Sequence, residues 1–223
     1  MRILSRRVVL AAMIAALGFG QASAELLARL DRFAQSFRGV TADIHTTNHV
    51  AGINEDEQES GRIALRRDSP GKIRMSISIT GPNASTVVLH DQTAQIYHPK
   101  IDEFQEYDIR QYKDIAQQLF QLGFGVAGSE LAKSYTIAIL KREVVNQEDT
   151  TFVELVPKSA DLRKRLSKVT LWISDKTNCA IRQKFDFPDG GYRLAEFSHL
   201  LVNPNIPSSS FALPKSAHRV RVN

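Results

Sequence analysis

Apolar and polar residues alternate over most of this chain, which is the pattern of β-strands with one buried face. Between residues 72 and 79 every second side chain is Ile or Met, and the others are Lys, Arg or Ser. The same period of two occurs in segments 40–45, 62–65, 135–139, 152–156, 169–173, 181–187 and 192–201. Because turn residues rich in Gly, Pro and Asn separate these short segments, we predict an antiparallel sheet.

Two segments have the helical period instead. In residues 26–37 the apolar side chains are spaced by 4, 3 and 4 residues, and Gly39 follows the end of the pattern. This spacing predicts an amphipathic helix. Residues 114–122 predict a second short helix, which Gly123 ends. Helices this short are not stable alone, so both must lie on an apolar surface, and one face of the sheet is the candidate.

The first 24 residues have the features of a cleaved export signal. Three arginines (Arg2, Arg6 and Arg7) precede the apolar run 8–19, and Ala22-Ser23-Ala24 matches a cleavage site. The apolar run is too short to span the ~30 Å of a bilayer core. The arginine pair also resembles a twin-arginine signal, so the general and the twin-arginine routes both stay open. We therefore predict a signal peptide at 1–24 and one mature domain at 25–223 in an envelope compartment outside the cytoplasm.

The basic balance of the chain is largely carried by this signal. The formal net charge is +5. Residues 1–24 contain three arginines and no acidic residue, so their removal leaves a net charge of +2. The remaining basic cluster, Arg163-Lys164-Arg165 with Lys158 and Lys168, lies between predicted strands. It is interpreted as a solvated turn, or as a docking patch for an acidic partner or anionic lipid head groups. Aromatic residues do not interleave with it, so no nucleic-acid partner is expected.

Motifs for catalysis and metal binding are missing from the sequence. The single cysteine, Cys179, excludes a disulfide framework and a cysteine-based zinc site, and in an exported protein it should be buried. His45 and His49 are four residues apart, but on a predicted strand, and no His-Glu-x-x-His or Gly-x-Ser-x-Gly motif occurs. We expect no catalytic residue, no metal site and no cofactor.

Two further patterns are interpreted as structural. Residues 123–128 match Gly-x-Gly-x-x-Gly, but they follow a predicted helix and precede a strand-like segment, whereas dinucleotide binding requires a preceding strand and a following helix. The glycines are therefore interpreted as a flexible link. The carboxylates of Glu55-Asp56-Glu57 and Glu59 are interpreted as part of a solvated loop.

Arg67 has an unusual position for a charged residue. It lies two residues after Leu65 and four after Ile63, so its side chain starts on the apolar face of the strand. A charge at the rim of an apolar face requires partners, because its desolvation is costly. Arg67 is either a surface arginine that extends to water or a latch that donates hydrogen bonds to a helix or loop across the rim.

Taken in order, several motifs resemble the periplasmic outer-membrane lipoprotein carrier family, LolA, over nearly the whole mature chain. They are Leu30-Asp31-Arg32-Phe33, 61–67 with Lys72-Ile73-Arg74-Met75, Val88-Leu89-His90-Asp91-Gln92, Ile96-Tyr97-His98-Pro99, Leu155-Val156-Pro157-Lys158, Leu171-Trp172-Ile173 and 203–214. Two departures occur: Asp68-Ser69 separates Arg67 from Pro70, and Gln95-Ile96 stands where the family has a tryptophan.

The resemblance implies a mainly β fold, an incomplete (half-open) antiparallel β-barrel with an apolar cavity covered by α-helices. It also implies a non-enzymatic, monomeric carrier that moves lipoproteins by their acyl chains from an inner-membrane exporter to an outer-membrane receptor. The family arginine that holds the helical lid closed corresponds to Arg67. Candidate lipid-binding and lid residues are Phe33, Phe37, Leu65, Arg67, Ile73, Met75, Ile77, Leu119, Phe120, Leu122 and Phe185.

Other interpretations remain at this stage. The same apolar residues would have the same pattern if they formed an ordinary core. A sensor or scaffold of the same fold would bind a lipid or a misplaced lipoprotein and signal through a partner. A carrier of a different lipid is a third possibility. An envelope hydrolase would need convergent polar groups in the pocket, which the sequence does not provide.

Overall fold

The computed structural model describes residues 23–53, 55–69, 72–90, 92–110 and 121–222. Its strands are β1 (Gly39–Val50), β2 (Glu55–Ser69), β3 (Lys72–Thr80), β4 (Ser85–His90), β5 (Thr93–His98), β6 (Glu103–Asp108), β7 (Tyr135–Val145), β8 (Glu148–Pro157), β9 (Lys168–Ser174), β10 (Ala180–Asp186), β11 (Tyr192–Val202) and β12 (His218–Val222). The helices are α1 (residues 23–36), α2 (Gly128–Ser134) and α3 (Ala160–Arg163), with a 3-10 turn at Ser208–Phe211.

The strands form one 12-stranded sheet in the order β12-β6-β5-β4-β3-β2-β1-β11-β10-β9-β8-β7. From β1 the chain runs outward to β6, resumes at β7 on the opposite edge, and returns to β11 beside β1. All pairings are antiparallel except that of β12 with β6. Among the described residues β7 and β12 do not pair, so the sheet stays open, and the predicted half-open antiparallel barrel with a helical lid is confirmed.

The helix α1 lies across one face of the sheet, which we call the inner face. Its Leu26 and Leu30 pack with Leu155 and Leu171 in a buried group, cluster A, built from β7 to β10. At its other end, the chain just after α1 places Phe37 in a second buried group, cluster B, with the inner residues of β1 to β4 and β11. One helix therefore covers both halves of the sheet.

The opposite, outer face is crossed by the segment after β11. Ile206 and Phe211 of this segment pack on Val88 of β4. Arg66 holds the segment in place, because its Nη1 donates a 2.7 Å hydrogen bond to the carbonyl oxygen of Ile206 and its guanidinium lies 5.1 Å from the centre of the Phe211 ring. The chain then forms β12, which pairs in parallel with β6 and is the edge strand of the sheet.

Some local predictions differ from the structure. The acidic segment 55–59 was expected to be a loop, but it belongs to β2 and pairs in register with β1, for example Asp56 with His49. Both faces of this half-strand are largely exposed, so no apolar alternation reveals it. Hydrophobic alternation also does not reveal strands β4 to β6, because most of their side chains are half-buried on both faces.

The segment after Gly128 was expected to be strand-like, but residues 128–134 form α2 before β7 begins. Its buried Leu131 packs in cluster A. This tertiary contact stabilises a helix whose local sequence only weakly favours one. The predicted signal peptide lies outside the described residues apart from Ser23 and Ala24. The predicted helix at 114–122 also does, apart from its last two residues. No helix within the described part of the chain is long and apolar enough to cross a membrane.

Candidate functional site: a helical lid on an apolar sheet face

Strand alternation builds the apolar floor of the site. The inner-facing residues of β1, β2 and β3 pair directly across the sheet: Val40 with Leu65, and Leu65 with Met75. All three side chains are at most 1% exposed. Phe37 packs over them, and Phe33, one turn earlier in α1, contacts its ring at a centroid distance of 5.6 Å. These aromatic and aliphatic side chains of the lid and the floor therefore meet through apolar contacts.

Arg67 connects β2 to the lid. Its Nη1 donates hydrogen bonds to the carbonyl oxygens of Ala34, at 2.7 Å, and Phe37, at 3.4 Å. Its Nη2 donates a 2.7 Å hydrogen bond to the carbonyl oxygen of Gly125, and its guanidinium lies 5.3 Å from the centre of the Phe37 ring. We call this set of contacts the Arg67 latch. It joins the sheet, the end of α1 and the link after residue 122.

The chemistry of the latch follows from the helix end. The last carbonyl groups of a helix have no partner within the helix and carry the negative end of its dipole. Arg67 supplies a cation and N–H donors there, while Asn203 donates to the neighbouring carbonyl of Ser36 at 3.0 Å. Burial lowers the pKa of Arg67, and among the described residues no carboxylate forms an ion pair with it. Among the described residues, carbonyl dipoles and a ring face compensate this charge, so its hydrogen bonds there can be broken without separating opposite charges.

The glycine-rich link after residue 122 packs tightly under the lid. A Cβ atom on Gly125 would lie 2.1 Å from the Phe37 ring, and one on Gly128 would lie 2.2 Å from the carbonyl oxygen of Leu27. Gly123 has φ +82°, as expected for the residue that ends a helix. The link is therefore buried and close-packed rather than flexible. Because Phe37 and Leu27 fill the space beside Gly125 and Gly128, the backbone there is not open to a pyrophosphate.

A second attachment holds the other half of α1. Nη1 of Arg29 donates a 2.8 Å hydrogen bond to Oδ1 of Asp175, in the turn after β9. The Nε and Nη2 atoms of Arg29 are buried and have no hydrogen-bond partner among the described residues. Sequence reasoning missed this contact, which we call the Arg29–Asp175 clamp. The available signal was that Arg29 lies three residues after Leu26 and so borders the buried face of α1.

The surroundings of Asp175 favour its ionised form, which accepts the hydrogen bond from Arg29. Burial acts to raise the pKa of its carboxyl, but hydrogen bonds from Arg29 and Thr151 and the charges of Arg29 and Arg142 outweigh it and hold the pKa below its ordinary value. Asp31 adds a third attachment, since its Oδ1 accepts hydrogen bonds from the backbone N–H of Ser129, at 3.0 Å, and from its hydroxyl, at 2.8 Å. These bonds lower the pKa of Asp31.

The structure places most of the predicted site residues in the lid, just after it or on the apolar sheet face beneath it. Phe33, Phe37, Leu65, Met75 and Ile77 meet in cluster B, and Ile73 is buried beside Arg67 on the next strand. Leu122 and Phe185 belong to cluster A instead. Leu119 and Phe120 lie outside the described residues. A small void beneath α1, lined by residues such as Leu30 and Leu171, has a volume of about 10 Å³. This space is far too small for an acyl chain, so α1 occupies the floor in this closed state.

The remaining candidate groups make local contacts in the described structure. Cys179 is fully buried, as expected, and desolvation, followed by the nearby charge of Glu148, raises its pKa to about 12. The basic cluster is engaged locally: Arg163 donates to the carbonyls of Pro157 and Lys158, and Lys168 pairs with Glu154 at 2.5 Å. Across the described part of the chain, no three His, Cys, Asp or Glu side chains are grouped closely enough to hold a metal ion.

Comparison with known proteins gives a likeness of fold. No protein-family model and no curated protein matches the sequence. Among solved structures, MucB in the Pseudomonas aeruginosa MucA/MucB complex is 16% identical, with a TM-score of 0.52 over 89% of this chain and 64% of that chain. The likeness thus leaves about a third of MucB without a counterpart.

Two smaller proteins are similar over almost their whole length. The Mycobacterium tuberculosis lipoprotein LppX is 16% identical, with a TM-score of 0.51 over 82% of this chain and 97% of that chain. A LolA superfamily protein from Nitrosomonas europaea is 12% identical, with a TM-score of 0.41 over 86% and 97%. At these identities MucB and LppX show a shared fold only, and that fold is the one implied by the resemblance seen in the sequence.

Proposed function

We propose that this protein is an exported, non-enzymatic carrier of acyl chains. The single observation that carries the proposal is the Arg67 latch, which ties α1 and the link to an apolar sheet face through three backbone carbonyl oxygens. When the latch opens and α1 lifts, the inner residues of cluster B become available to a hydrocarbon chain. The closed state covers the same surface when no chain is bound.

The energetics suit a carrier. Transfer of each methylene group from water to an apolar surface stabilises the complex by about 0.8 kcal/mol, so even a partly covered acyl chain is held. Closure of the lid competes with the chain for the same side chains, because Phe37 occupies the floor over Leu65 and Met75. The loaded state and the closed, empty state therefore differ only slightly in free energy, because each is stabilised by apolar contacts with the same side chains. Binding of a docking partner is enough to shift this equilibrium.

In the full proposal the cargo is the acyl part of lipoproteins in the periplasm. The protein receives it from an inner-membrane exporter and delivers it to an outer-membrane receptor, acting as a monomer. Residues 1–24 form the cleaved signal, by the general or the twin-arginine route, and residues 25–223 form the carrier domain. Intact mass of the exported protein tests the cleavage after Ala24, and replacement of Arg6-Arg7 by Lys-Lys blocks export only if the twin-arginine route is used.

Native mass spectrometry tests the carrier function directly. Protein purified from the periplasm should carry acyl-chain material that is released on denaturation and identified by extraction. The cargo test is depletion of the protein in its host, after which lipoproteins should accumulate at the inner membrane. Protein that never contains acyl chains, before or after incubation with lipoproteins, would contradict the proposal.

A second candidate function is supported by the likeness to MucB, which is solved in complex with MucA. In this case the same lid would respond to a lipid or misplaced lipoprotein, and its movement would alter the contact with a signalling partner. Capture experiments separate the two functions. A carrier should retain lipoproteins and envelope transport components, whereas a sensor should retain a membrane signalling protein, released when acyl chains are added.

A further inference from the structure

The inner face of the sheet changes character along β1. At one end Val40, Ala42 and Ile44 form the apolar floor, and all three are at most 5% exposed. The next inner-facing residues are Thr46 and Asn48. Since a strand rises ~3.3 Å per residue, the distance along β1 from Val40 to Thr46 is about 20 Å. One acyl chain extends about 15 Å, half of the ~30 Å core of a bilayer. The apolar floor thus has the length of one chain and ends in polar residues.

The neighbouring strands continue this polar end. Arg193 of β11 pairs with Asn48, and Glu59 of β2 pairs with Thr46, so all four side chains share the inner face. On the other side of β11, Phe185 of β10 pairs with Arg193 and packs against cluster A. Because cluster A lies on the inner face, this pairing confirms that Arg193 is on the inner face as well. The lipid floor and the four polar residues are therefore parts of one continuous surface.

Several polar groups at this end have no hydrogen-bond partner among the described residues. Arg193 is half-buried, and its guanidinium donates no hydrogen bond to any other described residue. Burial lowers the pKa of Arg193, and the charge of Glu59, which forms no ion pair with it, offsets this only in part. Thr46 is fully buried, and its hydroxyl also has no hydrogen-bond partner among the described residues. Burial without hydrogen bonds is costly for such groups, so this arrangement is poorly explained by folding alone.

We propose that Arg193, assisted by Thr46 and Asn48, binds the anionic head group of an acyl amphiphile whose chain lies on the floor toward Val40. A guanidinium presents two parallel N–H donors to a carboxylate or a phosphate, and such charge-assisted bonds are strong in a partly desolvated position. The inference rests on the proposed acyl-chain function and specifies its ligand: a chain that bears a carboxylate or a phosphate rather than a neutral ester.

Three ligands with the same 16-carbon chain test the head-group site. Palmitate has a carboxylate, hexadecyl phosphate has a phosphate, and hexadecanol is neutral. Calorimetry on the delipidated mature protein gives the affinity for each ligand, and the ratio of anionic to neutral affinity isolates the head-group contribution from any change in the floor. We expect the protein to prefer the anionic ligands by about tenfold or more. Comparison of the two anions then identifies which head group is preferred.

Variants test whether Arg193 is responsible for the ratio of anionic to neutral affinity. In R193Q the preference should fall about tenfold while hexadecanol still binds, whereas R193K should keep part of it. In E59Q the preference should rise, because a neighbouring negative charge is removed. The matched control is R182Q on β10, since Arg182 faces outward and pairs with Glu196 at 2.6 Å.

The outcomes separate this inference from the proposed function. If hexadecanol binds as tightly as the anions, or if R193Q and R182Q change the ratio equally, the head-group site is wrong while the acyl-chain function stands. If none of the three ligands binds, both proposals fail. R193K and E59Q keep the test decisive if R193Q does not fold.

Discussion

Arg29 in α1 and Asp175 in the turn after β9 are joined by a 2.8 Å hydrogen-bonded ion pair that ties the lid to the far half of the sheet. Both side chains are about one-quarter exposed or less. Two buried nitrogen atoms of Arg29 have no hydrogen-bond partner among the described residues. A buried ion pair stabilises strongly only when its remaining donors are satisfied, so this clamp holds the lid with little excess strength.

The first prediction is that loss of the clamp loosens the lid and removes a pH dependence. R29Q and D175N should each lower the free energy of unfolding by about 1–2 kcal/mol at neutral pH. Because the pKa of Asp175 is lowered in the folded state, its stabilisation is present above the ordinary Asp pKa of about 4 and is lost as the pH falls through the lowered value.

Urea unfolding of the native protein and D175N from about pH 7 down to about pH 2.5 measures this effect. The two stabilities should converge in acid. The double variant R29Q/D175N provides the control, since a direct interaction makes the two single effects non-additive. A constant difference at every pH would exclude the ionised carboxylate as the cause.

The sequence predicts the Arg67 latch but not the Arg29–Asp175 clamp, for a physical reason. Arg67 can be placed because a strand has a strict period of two, so a charge in register with Ile63 and Leu65 must start on their face. Arg29 borders the apolar face of α1, but its partner lies 146 residues away in a turn. Such a contact depends on how the two halves of the sheet meet, and local patterns do not contain that information.

The glycine-rich link and the acidic half of β2 show the same limit. The sequence reveals that Gly125 and Gly128 lack side chains, but only the packed structure shows that Phe37 and Leu27 occupy the space. The segment 55–59 pairs through its backbone while its side chains remain largely exposed, so hydrophobic alternation does not detect it. Similarly, Arg193 falls on the inner face only once its register with Asn48 is known.

The second prediction concerns the Arg67 latch. R67L should remove its three hydrogen bonds to backbone carbonyls and lower the stability of the closed state by about 2 kcal/mol. If the lid competes with acyl chains, the closed state is then a weaker competitor and the protein should remain trapped in the loaded form. Native mass spectrometry should show a larger loaded fraction, and transfer of the acyl chain to an acceptor vesicle should be slower.

Arg66 supplies the matched control for this change. It is the adjacent residue on the same strand, but it contacts Ile206 and Phe211 on the outer face. R66L should reduce stability without altering the loaded fraction. Equal loaded fractions in R67L and R66L would mean that the latch plays no part in loading.

The third prediction is that close packing at Gly128 is required for lid closure. An alanine Cβ there would lie 2.2 Å from the Leu27 carbonyl oxygen, a backbone atom that cannot move alone. G128A should therefore cost about 2–3 kcal/mol and displace α1. G81A is the control, because Gly81 belongs to a turn and has nothing within 4 Å of its Cβ position.

Hydrogen exchange distinguishes these two variants. G81A introduces only backbone strain at φ +95°, far from the lid, so exchange in α1 should stay slow. G128A should accelerate exchange throughout residues 23–36. Unchanged protection of α1 in G128A would show that the lid tolerates a wider separation from the link.

The fourth prediction uses Cys179 as a reporter of lid opening. The thiol is fully buried in cluster B with Phe37 and Phe124, and its pKa is raised to about 12. Only about one thiol in ten thousand is ionised at pH 8, compared with roughly one in four for an ordinary cysteine of pKa ~8.5. A disulfide reagent should therefore modify the closed protein extremely slowly. The neighbouring Ala180 donates a 2.8 Å hydrogen bond to the carbonyl of Gly123, so exposure of the thiol requires displacement of the link and of the lid above it.

The rate of modification should then follow the population of the open state. R67L weakens the closed state by about 2 kcal/mol, so it should raise the rate roughly thirtyfold, whereas R66L should leave it nearly unchanged. Global unfolding is excluded as the cause if the R67L rate stays far above the unfolding rate measured in urea jumps. Fast modification of the native protein, or equal rates in the two arginine variants, would show that Cys179 becomes accessible without opening of the Arg67 latch.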